Sequence, residues 1–268
     1  MDLNLVRKFE RLARHDQWKN PFWIPSITAL LALLGWEALS RLSGLPTFIL
    51  PSPLLVWERF LRALADGSLL GHTIVTLEEV LLGLLAGTIF ATLIGYVIAK
   101  SRMFEQLVSP FLVASQAVPI VAVAPLLVIW FGPGMFSKVL ICGLIVFFPV
   151  LVNTVVGLRA VPHSLNELMR SLRASRWQML RYLEIPAALP IFLGGLRIGA
   201  TLSVIGGVVG ELIGANSGLG FLINVARGQY DTALVFVAVF TLVALALSLY
   251  GIIILLENRF LAWQEIKP

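Results

Sequence analysis

Glu37, Arg197 and Glu211 stand inside long apolar runs of this sequence. Each needs a reason, because a charge at the centre of a membrane-crossing helix costs about 2.5–3.5 kcal/mol. Arg197 and Glu211 lie on one run, nearly four helical turns apart, so they point the same way but sit ~21 Å from each other and cannot pair. Near the outer end of that run, Glu211 reads as a gate or a helix-to-helix partner ahead of a substrate contact. Near the inner end, Arg197 reads as a side chain that snorkels or bonds a helix end. The run Ala215-Asn216-Ser217-Gly218 approaches the G-x-S-G serine of an intramembrane protease, but Ala215 replaces the glycine and no apolar run contains a histidine to act as base. His15, His72 and His163 fall in separate polar segments without metal-ligand spacing, so no metal is expected. A nucleotide pump needs a phosphate cradle, yet the nearest look-alike, Ile94 to Ser101, has Ile94 and Ala99 where glycines belong. No cofactor is therefore expected on this chain, and any ATP is bound by another.

These residues are carried by an all-α chain whose solvent is lipid. Of 268 residues, 58% are hydrophobic and 13% charged, and the mean hydropathy is +0.91, where a soluble domain is roughly a quarter charged. Apolar runs at 24–42, 75–99, 107–131, 136–158, 188–214 and 233–257 are each long enough to cross a ~30 Å hydrocarbon core, giving a polytopic protein of about six transmembrane helices. The net charge of +5 could suggest nucleic acid, but here the placement of the cations decides its meaning. Fourteen of the 20 Lys and Arg residues fall on the side of the N-terminus. They include Arg7, Lys8, Arg11, Arg14 and Lys19, then Lys100 and Arg102, then five arginines between 159 and 181, then Arg259 and Lys267. The excess of cations on the inner side places both termini in the cytoplasm. The resulting organisation is a cytoplasmic segment 1–23, a membrane domain 24–261 with a cytoplasmic loop at 159–187, and a cytoplasmic tail 262–268. The polar N-terminus lacks a small-residue cleavage site, so the first run is a retained helix. On the outer side, Pro46 to Pro53 precede an amphipathic surface helix at 54–65.

The fifth run carries Gly194, Gly195, Gly199, Gly206, Gly207, Gly210 and Gly214, small residues at the spacing that lets helices approach closely. The same stripe can line a narrow path, for which Gly206, Gly210 and Glu211 are candidates. In the third run, Pro119 and Pro125 interrupt the helix near Ser115 and Gln116 and free carbonyls that membranes tolerate only beside a cavity or a neighbour. Ser115, Gln116 and Pro119 complete the candidate translocation path. Cys142 lies inside an apolar run and reads as a small packing residue.

The loop VPHSLNELMRSLRASRWQMLRYLEIPAALP reads as two short helices in succession. Ser164 with Glu167, and Ser175 with Gln178, both fit the capping-box spacing, so two helix starts imply a turn between them. Leu165, Leu168, Met169 and Leu172 fall at i, i+3, i+4 and i+7 and make one apolar stripe. Trp177, Leu180 and Leu183 follow in the second helix, which Pro186 is expected to end. An arginine-rich helix pair with an apolar stripe has the form of a segment that docks in a partner's groove.

This segment resembles the cytoplasmic motif of bacterial ATP-binding-cassette (ABC) importer permeases: Glu-Ala-Ala, three residues, Gly, nine residues, Ile, one residue, Leu-Pro. Glu167 takes the glutamate, Leu168 and Met169 the alanines, Leu183 the isoleucine, and Ile185 with Pro186 the Leu-Pro. Arg173 stands where the motif has glycine. The wording of Pro125 to Gly134, Ser175 to Pro190, Gly195 to Gly199 and Glu211 to Ile223 is similar to the nitrate, taurine and aliphatic-sulfonate branch, while Glu79 departs from an arginine frequent there. The resemblance implies a coupling helix that docks on a separate ATPase, through Ser164, Leu165, Glu167, Leu168, Met169, Leu172, Arg173, Ala174, Ser175, Arg176 and Pro186. It implies ATP and magnesium on two copies of that ATPase, a second copy of this chain, an extracytoplasmic solute-binding protein, and a bacterial inner-membrane location. The implied solute is nitrate-, sulfonate- or taurine-like, or else a thiamine-precursor pyrimidine or riboflavin. An ion-coupled secondary transporter is the main rival, with Glu211 as its one foothold.

Overall fold

The computed structural model describes residues 23–116 and 119–262, without the side chains of residues 24, 25, 111, 113, 115 and 116. The cations expected at positions 7 to 19 and at 267 lie outside the described residues, as do most of the two terminal segments. The chain divides into two compact units, residues 1–56 and 57–268.

In the first unit, α1 (Trp23–Leu42) has 20 residues, about the 30 Å needed to span. Glu37 is answered one turn later by Arg41, whose Nε donates to Oε1 at 2.5 Å. Past the helix the chain is pinned by Trp36 Nε1, which donates to the Pro51 carbonyl at 3.0 Å. The surface helix expected at 54–65 forms as α2 (Pro53–Ala65), which runs across the unit boundary.

The second unit continues with α3 (Ser68–Lys100), α4 (Arg102–Gln116), α5 (Ile120–Phe131), α6 (Met135–Arg159), α7 (His163–Ser171), α8 (Arg176–Met179), a π-helical turn at Leu180–Glu184, α9 (Ile185–Gly214), α10 (Leu219–Gly228) and α11 (Thr232–Phe260). Among the described residues, four helical stretches are long and apolar enough to cross a membrane: α3, α6, the unbroken run Arg176–Gly214, and α11. The run at 107–131 is instead two helices, because α5 restarts behind Pro119, which cannot donate an N–H and disfavours helix before it. Pro186 does not end a helix as expected. It lies in the first turn of α9, where a missing N–H costs little, and the π turn before it closes through Ile185 N–H to the Leu180 carbonyl.

The core is the seam of α6 with α3 and α9. Gly83, Gly87, Ala91 and Gly95 repeat every four residues on α3 and let α6 approach it. A Cβ at Gly87 would stand 2.6 Å from the Gly143 carbonyl oxygen, and one at Gly206 of α9 would stand 2.8 Å from Cys142 Cα. Cys142 is buried between these two crossings. Ala124 and Leu127 of α5 pack on Ile141 of α6 with Val209 of α9 beside them.

Candidate functional site: an arginine-rich loop and a buried polar cluster

The loop between α6 and α9 folds as two helices joined by a turn, as the spacing predicts, but its first start differs. Helix α7 begins at His163 behind Pro162, without a side-chain cap. Ser164 lies inside the first turn, and Glu167 Oε1 sits 3.3 Å from His163 Nδ1 one turn back, so the first capping box does not form. The second does. Ser175 Oγ accepts from Gln178 N at 3.3 Å, and Gln178 Oε1 accepts from Ser175 N at 2.7 Å.

Between them, α7 ends in a Schellman motif centred on Arg173. Ala174 N donates to Met169 O at 3.0 Å, and Arg173 N donates to Arg170 O at 2.9 Å. That geometry puts Arg173 in the left-handed region at φ 54°, where a side chain costs roughly 1–2 kcal/mol that glycine avoids. Arg173→Gly is therefore expected to keep the turn and tighten it. Amide exchange at residues 173 and 174 should slow by about fivefold, the equivalent of ~1 kcal/mol; faster exchange would mean that the arginine side chain itself holds the turn.

The stripe on α7 stays uncovered: Leu168 and Leu172 are 53% and 68% exposed, and Leu165 and Trp177 are exposed as well. Arg176 opens α8 behind the capped Ser175. Two ion pairs that the sequence reading missed tie the helix ends beside this loop. Glu184 in the π turn accepts from Lys100 Nζ at 2.5 Å, joining the loop to the end of α3. Glu105 of α4 receives both Arg159 amino groups at 2.6 Å, and those hydrogen bonds hold its carboxyl below the usual carboxylate range. Both pairs join oppositely charged residues far apart in sequence, so only their later proximity reveals them. Arg197 of α9 pairs with Glu257 of α11, with its guanidinium over the Tyr250 ring.

At the opposite end of α3, α6 and α9 lies a buried polar cluster. Glu79 of α3 accepts from Lys138 Nζ of α6 at 2.6 Å, and the two side chains are 1% and 5% exposed. Glu211 of α9 accepts from Thr76 Oγ1 at 2.7 Å and from Gly220 N at 2.5 Å. Leu219 N donates to Thr76 Oγ1 at 2.8 Å, and Gly218 N to His72 Nδ1 at 3.0 Å. Helix α10, absent from the sequence reading, thus has its first N–H groups satisfied by side chains of α3 and α9 in place of a cap of its own. Among the other path candidates, Gly210 meets this cluster. Gly206 and Gly210 face α6, with Gly210 against Lys138, Pro119 is exposed, and the Ser115 and Gln116 side chains lie outside the described residues.

Residues 83–262 match the family described as binding-protein-dependent transport system inner membrane component. The chain is 49% identical over 238 residues to the riboflavin transport system permease protein of Chloroflexus aurantiacus, covering 89% of each. It is 33% identical over 248 residues to the taurine transport system permease protein of Escherichia coli, again 89% of each. A crystal structure of an amino acid ABC transporter with histidines superposes with a TM-score of 0.60 at 20% identity, over 75% of this chain and 98% of that one, a likeness of fold.

Proposed function

This chain belongs to the family of binding-protein-dependent transport system inner membrane components, and from that premise we propose that it passes a flat, hydrogen-bonding heterocycle of the riboflavin kind across the bacterial inner membrane. It is the permease subunit of an ABC importer, a transport subunit rather than an enzyme. Its ATPase and solute-binding protein are other chains, as in such importers generally.

The observation that carries the choice of solute is the 49% identity to a riboflavin permease, sustained across nine-tenths of both chains. The buried cluster supports it. Lys138, a cation that could have met an anionic solute, is turned onto Glu79 inside the protein. A sulfonate of the taurine kind is the second reading, on the 33% identity to the taurine permease.

In this proposal two copies of the chain enclose the path, and each docks one ATPase subunit. The stripe Leu165, Leu168, Met169 and Leu172 seats in the ATPase groove, and the Arg173 turn with Ser175 and Arg176 frames it. ATP and magnesium stay on the ATPase. The excess of Lys and Arg at one end of the spans supports cytoplasmic termini and a cytoplasmic loop. Movement at the loop would reach α3 through Glu184 and Lys100 and reach α9 through the π turn.

A thermal-shift screen of the cognate binding protein tests the solute. Riboflavin should raise its melting temperature and taurine should leave it unchanged. The reverse result would replace the heterocycle with a sulfonate. Uptake of labelled riboflavin by cells carrying the permease, ATPase and binding protein should then depend on this chain.

A further inference from the structure

The cluster joining α3, α6, α9 and α10 has an imbalance of charge that its hydrogen bonds leave open. Glu79 Oε1 is held by Lys138, but Glu79 Oε2 is fully buried and receives no donor. A second carboxyl lies beside it: Glu211, as buried as Glu79, accepts from Thr76 Oγ1 one turn before Glu79 on α3. Two carboxylate oxygens cannot bond each other without a hydrogen between them.

The neighbours do not supply a second positive charge. From α6 come Lys138, already counted, and the Cys142 thiol. From α3 come His72, whose Nδ1 accepts from Gly218 and so carries no proton there, and Glu78, which is exposed. From α10 come backbone N–H groups. Among the described residues no three ligating side chains are placed to hold a metal ion. One ammonium against two ionised carboxyls would leave a net negative charge buried in an apolar seam, which costs several kcal/mol. One proton removes the excess and fills the empty Oε2 contact together.

We propose that Glu79 and Glu211 form a buried proton-binding site, holding a single proton between Glu79 Oε2 and the Glu211 carboxyl so that the cluster with Lys138 is neutral. The geometry gives the site a structural consequence. Glu211 also takes the Gly220 N–H at the start of α10, so the shared proton links α3 to α9 at the point where α10 is clipped to both. Loss of the proton would set two carboxylates against each other at that clip.

The test is infrared spectroscopy of the full-length permease in lipid nanodiscs, independent of solute and ATPase, so its failure would leave the transport reading untouched. At neutral pH the wild-type protein should show a protonated-carboxyl C=O band that shifts in deuterated buffer. That band should be lost in Glu79→Gln and, separately, in Glu211→Gln, because each leaves one carboxylate for Lys138 and no excess charge. The buried Glu184 at the far end of α9 is the same in all three proteins and cancels in the difference spectra. Absence of the band from the folded wild-type protein, or its survival undiminished in Glu211→Gln, would overturn the proposal. The wild-type measurement decides even if a variant fails to fold.

Discussion

Replacing both Leu168 and Leu172 by aspartate is expected to abolish co-purification of the ATPase subunit while the permease remains folded in the membrane. Both side chains are exposed in the isolated chain and make none of its core contacts, so their loss costs the fold little. In the proposed docked state they would be covered by the ATPase groove, where truncation of a central apolar anchor typically costs about 2 kcal/mol or more and a buried unpaired carboxylate adds to that. For the pair, a loss of about 4 kcal/mol is expected, roughly a thousandfold in Kd. Pull-down through a tag on the permease measures it, with size-exclusion behaviour as the control for folding. Wild-type recovery of the ATPase with the double variant would refute the docking role of this stripe. Ser175→Ala is a useful contrast, since it removes a cap worth about 1 kcal/mol without touching the stripe, and should weaken docking far less.

The second large effect is expected from Lys138→Met. Lys138 is the cation that balances the buried carboxyl pair, and removing one partner of a buried ion pair costs about 3–5 kcal/mol because the other charge is left uncompensated. In detergent this should lower the melting temperature on the order of 10 °C. Combining Lys138→Met with both Glu79→Gln and Glu211→Gln should recover most of the loss. The three replacements remove every charge from the cluster, so none is left buried without a counter-ion. A Lys138→Met protein as stable as the wild type would show that the pair is solvated in the membrane rather than buried.

These two sites were legible in the sequence to different degrees. The loop could be read because its signals are local: a helical period of leucines, a serine three residues before a glutamine, and a register of motif residues that a single segment contains. Even there, the first capping box was a false reading, since the helix starts at His163 behind Pro162, two residues before the start that Ser164 could cap. Nothing local stated that Arg173 would adopt a left-handed backbone, although the motif's glycine marked the place. The buried cluster could not be read. Lys138, inside the run 136–158, was not singled out and Glu79 was read as a departure from a family pattern, because residues 59 apart reveal a pairing only when two helices are in register. The glycine repeat of α3 was the available clue that this register would be tight.

By itself the sequence determined what depends on composition and on neighbours along the chain. That includes the lipid environment, the long apolar helices, the cation asymmetry and the form of the arginine-rich loop between α6 and α9, because hydrophobicity and helical period act within a few turns. Tertiary structure decided which polar groups meet: Glu79 with Lys138, Glu211 with Thr76 and the start of α10, Glu184 with Lys100, and Glu105 with Arg159. The reason is physical. In an apolar interior each buried polar group must find a partner, and which partner it finds is set by the crossing of helices rather than by its own place in the chain.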